Sequence, residues 1–289
     1  MAQELSSAEV ARYRRYGYLF PLDGFDGSEV RAINAALEQA RNDARALGLE
    51  AELPQLLRSN VQYLLPCVVD VARAPPLLDR VASILGPDIL LWSAEFFVKG
   101  AHTDKIVSWH QDLTYWGLGE TDEEMTAWLA LSDVSVESGC MRFIPGSHQQ
   151  KILPHRDTFA ESNLLSRGQE VAVDVDENDA VDVVLKPGQV SFHHGRIFHA
   201  SGPNRSDHDR VGLVFRFLTP RVRQLVAQRD YAMLLRGIDA TNNWIHVAPP
   251  AGNYEAASLR LREQVTREQS VALAAGAAQP MHAGYQAPD

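Results

Sequence analysis

At 289 residues, with 45% hydrophobic and 22% charged residues, the chain has the make-up of a globular protein able to bury a sizeable core. Its formal charge of −10 leaves no basic stripe to displace counterions, which sets nucleic acid aside as the main partner. Two cysteines, Cys67 and Cys140, make no disulfide framework, the amino terminus lacks the apolar run of a secretion signal, and no stretch reaches the length of a membrane span; a cytoplasmic setting without membrane contact is therefore expected.

In chain order, Ser6-Ser7-Ala8-Glu9 reads as a capping box opening a helix to about Arg15. Gly17 ends that helix, and Tyr18-Leu19-Phe20 reads as a strand. A second helix opens at Asp26-Gly27-Ser28-Glu29 and closes at Gly48. Val30, Ile33, Leu37, Ala40, Ala44 and Leu47 recur along it at helical spacing, which predicts one face laid on a sheet. Pro54, Pro66, Pro75 and Pro76 cut the next segment into short pieces, the last a helix over 76–85 stopped by Gly86-Pro87. The period then changes. Segments 89–99, 106–116, 125–133 and 140–144 read as strands, with a turn at Pro145-Gly146-Ser147. Residues 149–186 form a long connection carrying the acidic cluster Asp174, Asp176, Glu177, Asp179 and Asp182, read as a solvated loop with a lid as the alternative. Strands are expected again at 190–198 and 211–218, helices at 221–237 and 254–275, and a flexible tail at 276–289. The order implies one domain over 1–275, with a β core at 88–220 between flanking helices: a sandwich or barrel.

The chemistry-bearing stretch is Trp109-His110-Gln111-Asp112-Leu113-Thr114-Tyr115-Trp116. On a strand, residues two apart share a face, so His110 and Asp112 are expected side by side. An imidazole and a carboxylate supply two corners of the facial arrangement that holds non-haem iron(II). Among ten histidines, His199 is the favoured third ligand, because Ser201 follows it and Arg210 lies eleven positions on, across a Gly-Pro-Asn turn. A guanidinium there can grip a carboxylate through two parallel hydrogen bonds. His193 and His194 are the rivals. His148 reads as structural, and His102 and His155 as loop residues.

These motifs, with Gly139-Cys140-Met141-Arg142-Phe143-Ile144-Pro145-Gly146-Ser147-His148, resemble the phytanoyl-CoA dioxygenase family of iron(II)- and 2-oxoglutarate-dependent oxygenases over most of the chain. The resemblance implies a double-stranded β-helix. It also implies His110, Asp112 and His199 as ligands to Fe(II), and Arg210 and Ser201 on the distal carboxylate of 2-oxoglutarate. Gln111 and Trp116 would line the co-substrate pocket, with dioxygen as the second co-substrate. Lys99 stands on the preceding strand without a firm alignment. The family chemistry oxidises a substrate carbon while releasing succinate and CO2. Related halogenases carry a small residue where Asp112 stands, so hydroxylation of a small metabolite or natural-product intermediate is expected, with desaturation, epoxidation and ring closure as the alternatives within the same family chemistry.

The aromatic residues Trp92, Phe97, Trp109, Tyr115, Trp128 and Trp244 are candidate substrate walls. Arg58, Asn60, Gln62, Arg236 and Asn243 are polar candidates at the mouth, and Arg142 is either a substrate contact or a salt bridge. Two other readings compete. A cupin-like metalloenzyme that does not use 2-oxoglutarate predicts a dispensable Arg210. A non-catalytic ligand-binding barrel predicts no succinate under any conditions.

Overall fold

Helix formation at the amino end starts from side-chain caps. In the computed structural model, which describes residues 3–165, 168–227 and 229–274, α1 runs Ser7–Tyr16. Glu9 N–H donates to the Ser6 hydroxyl, and Ser6 N–H donates to the Glu9 carboxylate at 2.8 Å. Gly17 ends the helix with φ 80°, and a Cβ there would run into the His148 ring. The α2 helix, Gly27–Ala46, is opened by the same device, Asp26 with Glu29. Its Val30, Ile33, Leu37, Ala40 and Ala44 are buried as their spacing predicts. Short helices α3 (Leu53–Arg58), α4 (Pro66–Arg73) and α5 (Pro75–Leu85) follow, each with proline in its first turn, where the missing N–H costs nothing.

The strands are β1 (Tyr18–Asp23), β2 (Ile89–Lys99), β3 (Val107–His110), β4 (Glu124–Ala130), β5 (Met141–Phe143), β6 (His155–Asp157), β7 (Gln169–Val171), β8 (Val181–Val183), β9 (Gln189–His193), β10 (His199–Ser201), β11 (Arg210–Leu218), β12 (Asp230–Arg236) and β13 (Trp244–His246); α6 (Ala256–Ala274) closes the described chain. A seven-stranded sheet has the order β1-β9-β4-β11-β2-β12-β13, and a four-stranded sheet the order β3-β10-β5-β8. Within these two sheets every pairing is antiparallel except β12 with β13. The two sheets form the expected double-stranded β-helix.

Alternation along β11 explains how the large sheet serves two sides. Leu213, Phe215 and Phe217 enter the core shared with α2, α4 and α5. Val214, on the other face, packs with Trp128 and Phe143 in a second cluster between the sheets. Gly212 lies on that inner face too, and any Cβ there would collide with the Trp128 indole, so glycine is what lets that ring lie across the strand.

Several expectations need correction. The strand expected over 106–116 stops at His110; residues 112–114 form a 3-10 turn. Among its described residues, the segment 221–237 is not helical. Its second half is β12, which pairs with β2 on the side opposite β11, so the backbone groups of β2 are satisfied on both sides while Tyr231, Ala232 and Met233 are buried. The strand expected over 190–198 is two, β9 and β10, separated by a turn in which Ile197 N–H donates to His194 O. The connection 149–186 contains a β6–β7 hairpin and β8 rather than bare loop. The 276–289 tail lies outside the described residues. Among those described, no helix is long and apolar enough to cross a membrane.

Candidate active site

The β10 strand lies between β3 and β5, and its register sets His199 directly opposite His110. The two imidazoles are therefore 4.0 Å apart, centre to centre. Asp112 reaches them differently from the expected strand alternation. After His110 the chain leaves the sheet and curls, with Leu113 N–H donating to Gly195 O at 3.0 Å and Tyr115 N–H to Asp112 O at 3.3 Å. The curl brings Asp112 Oδ1 within 3.4 Å of His110 Nε2 and 3.9 Å of His199 Nε2. The three donor atoms all lie within 4.8 Å of one another, and no other such trio of metal-binding side chains occurs among the described residues.

The protonation states suit a cation. His110 Nδ1 lies 2.8 Å from Ser108 O and His199 Nδ1 3.1 Å from Ile197 O, so each Nδ1 holds the proton and each Nε2 lone pair faces Asp112. Burial, then the neighbouring His110, pushes His199 well below the ordinary imidazole range, so it stays neutral. Two imidazoles, each presenting its Nε2, and one carboxylate are a donor set that fits ferrous iron.

Of the rivals, His193 lines the same cavity with its Nε2 3.9 Å from Asp112 Oδ2, outside the trio. His194 turns away to Asp122, 3.1 Å from its Nε2.

The far end of the cavity is cationic. Arg210 opens β11, is 1% exposed, and stands opposite Lys99 of β2, also 1% exposed. Arg210 is stacked between Phe97 and Trp128, 5.5 and 5.4 Å from the ring centres. Its Nη1 donates to Gly139 O at 2.6 Å, and its Nε is buried without a hydrogen-bond partner. Lys99 Nζ donates to Ser201 Oγ at 2.7 Å and to Gly202 O. Burial, and then Arg210's charge, pulls the lysine down to about 7. Among the described residues neither cation has a carboxylate partner. Buried charges without counterions are costly, so this end is built for an anion.

Gln111 and Trp116 are placed elsewhere. The Gln111 amide donates to Lys151 O and Arg196 O and accepts from Leu153 N–H, so it braces the turn that carries Asp112 and does not line the cavity. Trp116 packs against Trp92, with Arg216 over its ring at 5.1 Å, and lines an adjoining cavity. Arg142 is in a salt-bridge cluster with Glu177 and Asp182. His155 accepts the Gln111 N–H at 3.0 Å, and His148 Nε2 donates to Arg14 O, so both are structural; exposed His102 pairs with Asp207. Asn60 and Gln62 are committed to Gln269 and to the β2 backbone, Arg236 to Asp79, and Asn243 to Pro220 O. Sequence reading left Lys99 unplaced and missed the ion pair between Arg216 and Glu95, 2.6 Å. Arg216 could have been found: it shares a strand face with Arg210, Gly212 and Val214.

The phytanoyl-CoA dioxygenase family model matches residues 13–212. A protein of Stutzerimonas stutzeri, named "Probable alpha-ketoglutarate-dependent hypophosphite dioxygenase", is 29% identical over 160 residues, 54% of this chain and 54% of its own. The peroxisomal phytanoyl-CoA dioxygenase of Homo sapiens is 29% identical over 147 residues, 50% of this chain and 43% of its own. The chain thus spans about half the length of these curated relatives. A solved structure titled "non-heme monooxygenase; ThoJ apo" is 33% identical with a TM-score of 0.81, covering 91% of this chain and 96% of that one. With a family match across most of its length and the two-histidine, one-carboxylate cluster on the family's β-helix, the chain belongs to the phytanoyl-CoA dioxygenase family.

Proposed function

We propose that this chain is an iron(II)- and 2-oxoglutarate-dependent dioxygenase that hydroxylates a small metabolite or natural-product intermediate. His110, Asp112 and His199 are the residues that would hold the metal. When bound, ferrous iron supplies the activation of dioxygen coupled to conversion of 2-oxoglutarate to succinate and CO2. The chain's own residues supply placement. Ser108 O and Ile197 O fix the two imidazole rings, and the 112–114 turn fixes the carboxylate. Arg210 receives the distal carboxylate of the co-substrate, held flat between Phe97 and Trp128 so that its donors cannot swing away. Lys99 and Ser201 complete that end. Asp112 keeps the third protein ligand in place, which favours hydroxylation over halide transfer.

The observation that carries the reading is the pairing of two features in one cleft: the three-donor cluster, and buried cations lacking a carboxylate beyond it. Relatives named for a phosphorus oxyanion and for an acyl thioester support a small-molecule substrate.

The test has two parts. Anaerobic titration with Fe(II) and 2-oxoglutarate should produce the weak visible charge-transfer band of the chelate. A succinate-release screen across small-molecule classes should then find a substrate. Arg210→Gln should raise the KM for 2-oxoglutarate by about tenfold or more, since a charge-assisted bidentate contact is lost. Turnover unaffected by that change would return the cupin-like reading.

A further inference from the structure

A second cavity, about 90 Å³, adjoins the metal cleft, and Glu95 and Arg216 line both. Its other walls come from the end of α3, the β2 strand, the segment around Trp116 and the last turn of α6. Trp92 and Trp116 form an aromatic corner, their ring centres 5.3 Å apart and their planes at 59°. Ala272 and Leu273 face the cavity from α6, and Leu273 packs in the same apolar cluster as the two indoles.

The polar groups around this cavity are engaged with the protein itself. Arg216 is ion-paired with Glu95 at 2.6 Å, and its flat face lies over Trp116 at 5.1 Å. Arg58 donates to Leu164 O, and its face lies over Phe97 at 5.1 Å. The Trp92 indole N–H donates to Asp230, and Ser59 Oγ accepts from Arg262. Gln224 donates to Trp116 O and accepts from Leu225 and Val226 N–H; Gln269 donates to Asp230 and accepts from Asn60. A charged ligand group placed here must take its partner from one of these contacts. A carboxylate meets Glu95, and an ammonium meets Arg58 and Arg216. Either ion is buried beside a like charge while its counter-charge is already engaged. An uncharged apolar group breaks none of these contacts and covers indole and leucine surface.

Resting on the proposed function, we infer that the adjoining cavity holds the uncharged apolar end of the substrate, an aryl or compact hydrocarbon group seated on Trp92, Trp116 and Leu273, while the carbon to be oxidised lies in the metal cleft. The Glu95–Arg216 pair, common to both cavities, rejects substrates that are ionised at this end.

The test is calorimetric binding to protein loaded anaerobically with Fe(II) and 2-oxoglutarate, so that the Arg210 end is already filled. The probes share one amide end and differ at the other: 3-(4-methylphenyl)propanamide, 3-(4-carboxyphenyl)propanamide, 3-(4-aminomethylphenyl)propanamide, and propanamide, which lacks the ring. The methyl probe should bind about tenfold or more tighter than each of the other three. Leu273→Trp fills the cavity and should weaken the methyl probe by a similar factor. Leu273→Ala, a truncation on the last turn of α6, is the second variant and should weaken it about threefold or more. Neither variant should change the visible band of the chelate. A charged probe that binds as well as the methyl probe, propanamide that equals it, affinity indifferent to both variants, or no binding of the methyl probe at millimolar concentration would each overturn the inference. The band, read in the same samples, reports separately on the metal reading. If the band is absent, the titration is repeated on metal-free protein, where the preference for the ring and the Leu273→Trp loss must still be seen.

Discussion

Lys99 shows how one side chain gains a role from its surroundings. Burial and Arg210 bring it to about 7, so at pH 8 it is largely neutral. A dianion placed between the two residues favours the charged form and raises that value. Binding of 2-oxoglutarate at pH 8 should therefore take up protons, and at pH 6 it should not. Calorimetry in buffers of different ionisation enthalpy measures this, and Lys99→Met should abolish the uptake. Glu124 is the converse case. Burial chiefly raises its carboxyl to about 8, while its Oε1 accepts the Gly195 N–H. Because the folded value lies above the unfolded one, this group's contribution is full in acid and is lost as pH rises through about 8. Glu124→Gln keeps the acceptor but cannot ionise. Its Tm should exceed that of the wild type by a few degrees above pH 8 and match it near pH 5, in thermal scans across pH.

Among the elements, β12 is the one that joins the barrel to its last helix. Asp230, at its start, accepts from the Trp92 indole at 2.8 Å, from Gln269 of α6 at 3.0 Å and from the Tyr231 N–H at 2.7 Å. Asp230→Ala strands these buried donors. It should cost at least about 2 kcal/mol in urea unfolding and loosen α6 over the second cavity. A change below about 0.5 kcal/mol would show the hub to be dispensable. The turn after β3 is the other element that matters for chemistry. Gln111 secures it by three backbone contacts from 151, 153 and 196, so a residue that reads as a pocket contact in sequence acts here as a brace.

For the whole molecule, the trio at the cleft links metal to stability. Any ion bound only by the folded state adds about 2.7 kcal/mol at a hundredfold excess over its Kd. Anaerobic Fe(II) should raise the Tm and a chelator should reverse the rise; His199→Ala should remove the shift. An unchanged Tm at saturating metal would speak against a preformed site. The residues behind these expectations were unevenly legible. His110, Asp112, His199, Ser201 and Arg210 stand out because their residue types and spacings are local patterns. The helices at 7–16 and 27–46 were legible for the same reason: caps and a 3.6-residue period are written in consecutive residues.

The sequence by itself determined which residues carry the chemistry and that a β core lies between helices. Only the tertiary structure decided that Asp112 arrives from a turn, that Lys99 faces Arg210, that Trp116 belongs to a neighbouring cavity, and that 230–236 is a strand. Each of those depends on strand register or on a partner far along the chain. Periodicity reports which way a side chain points relative to its neighbours; it carries no information about what lies across the sheet.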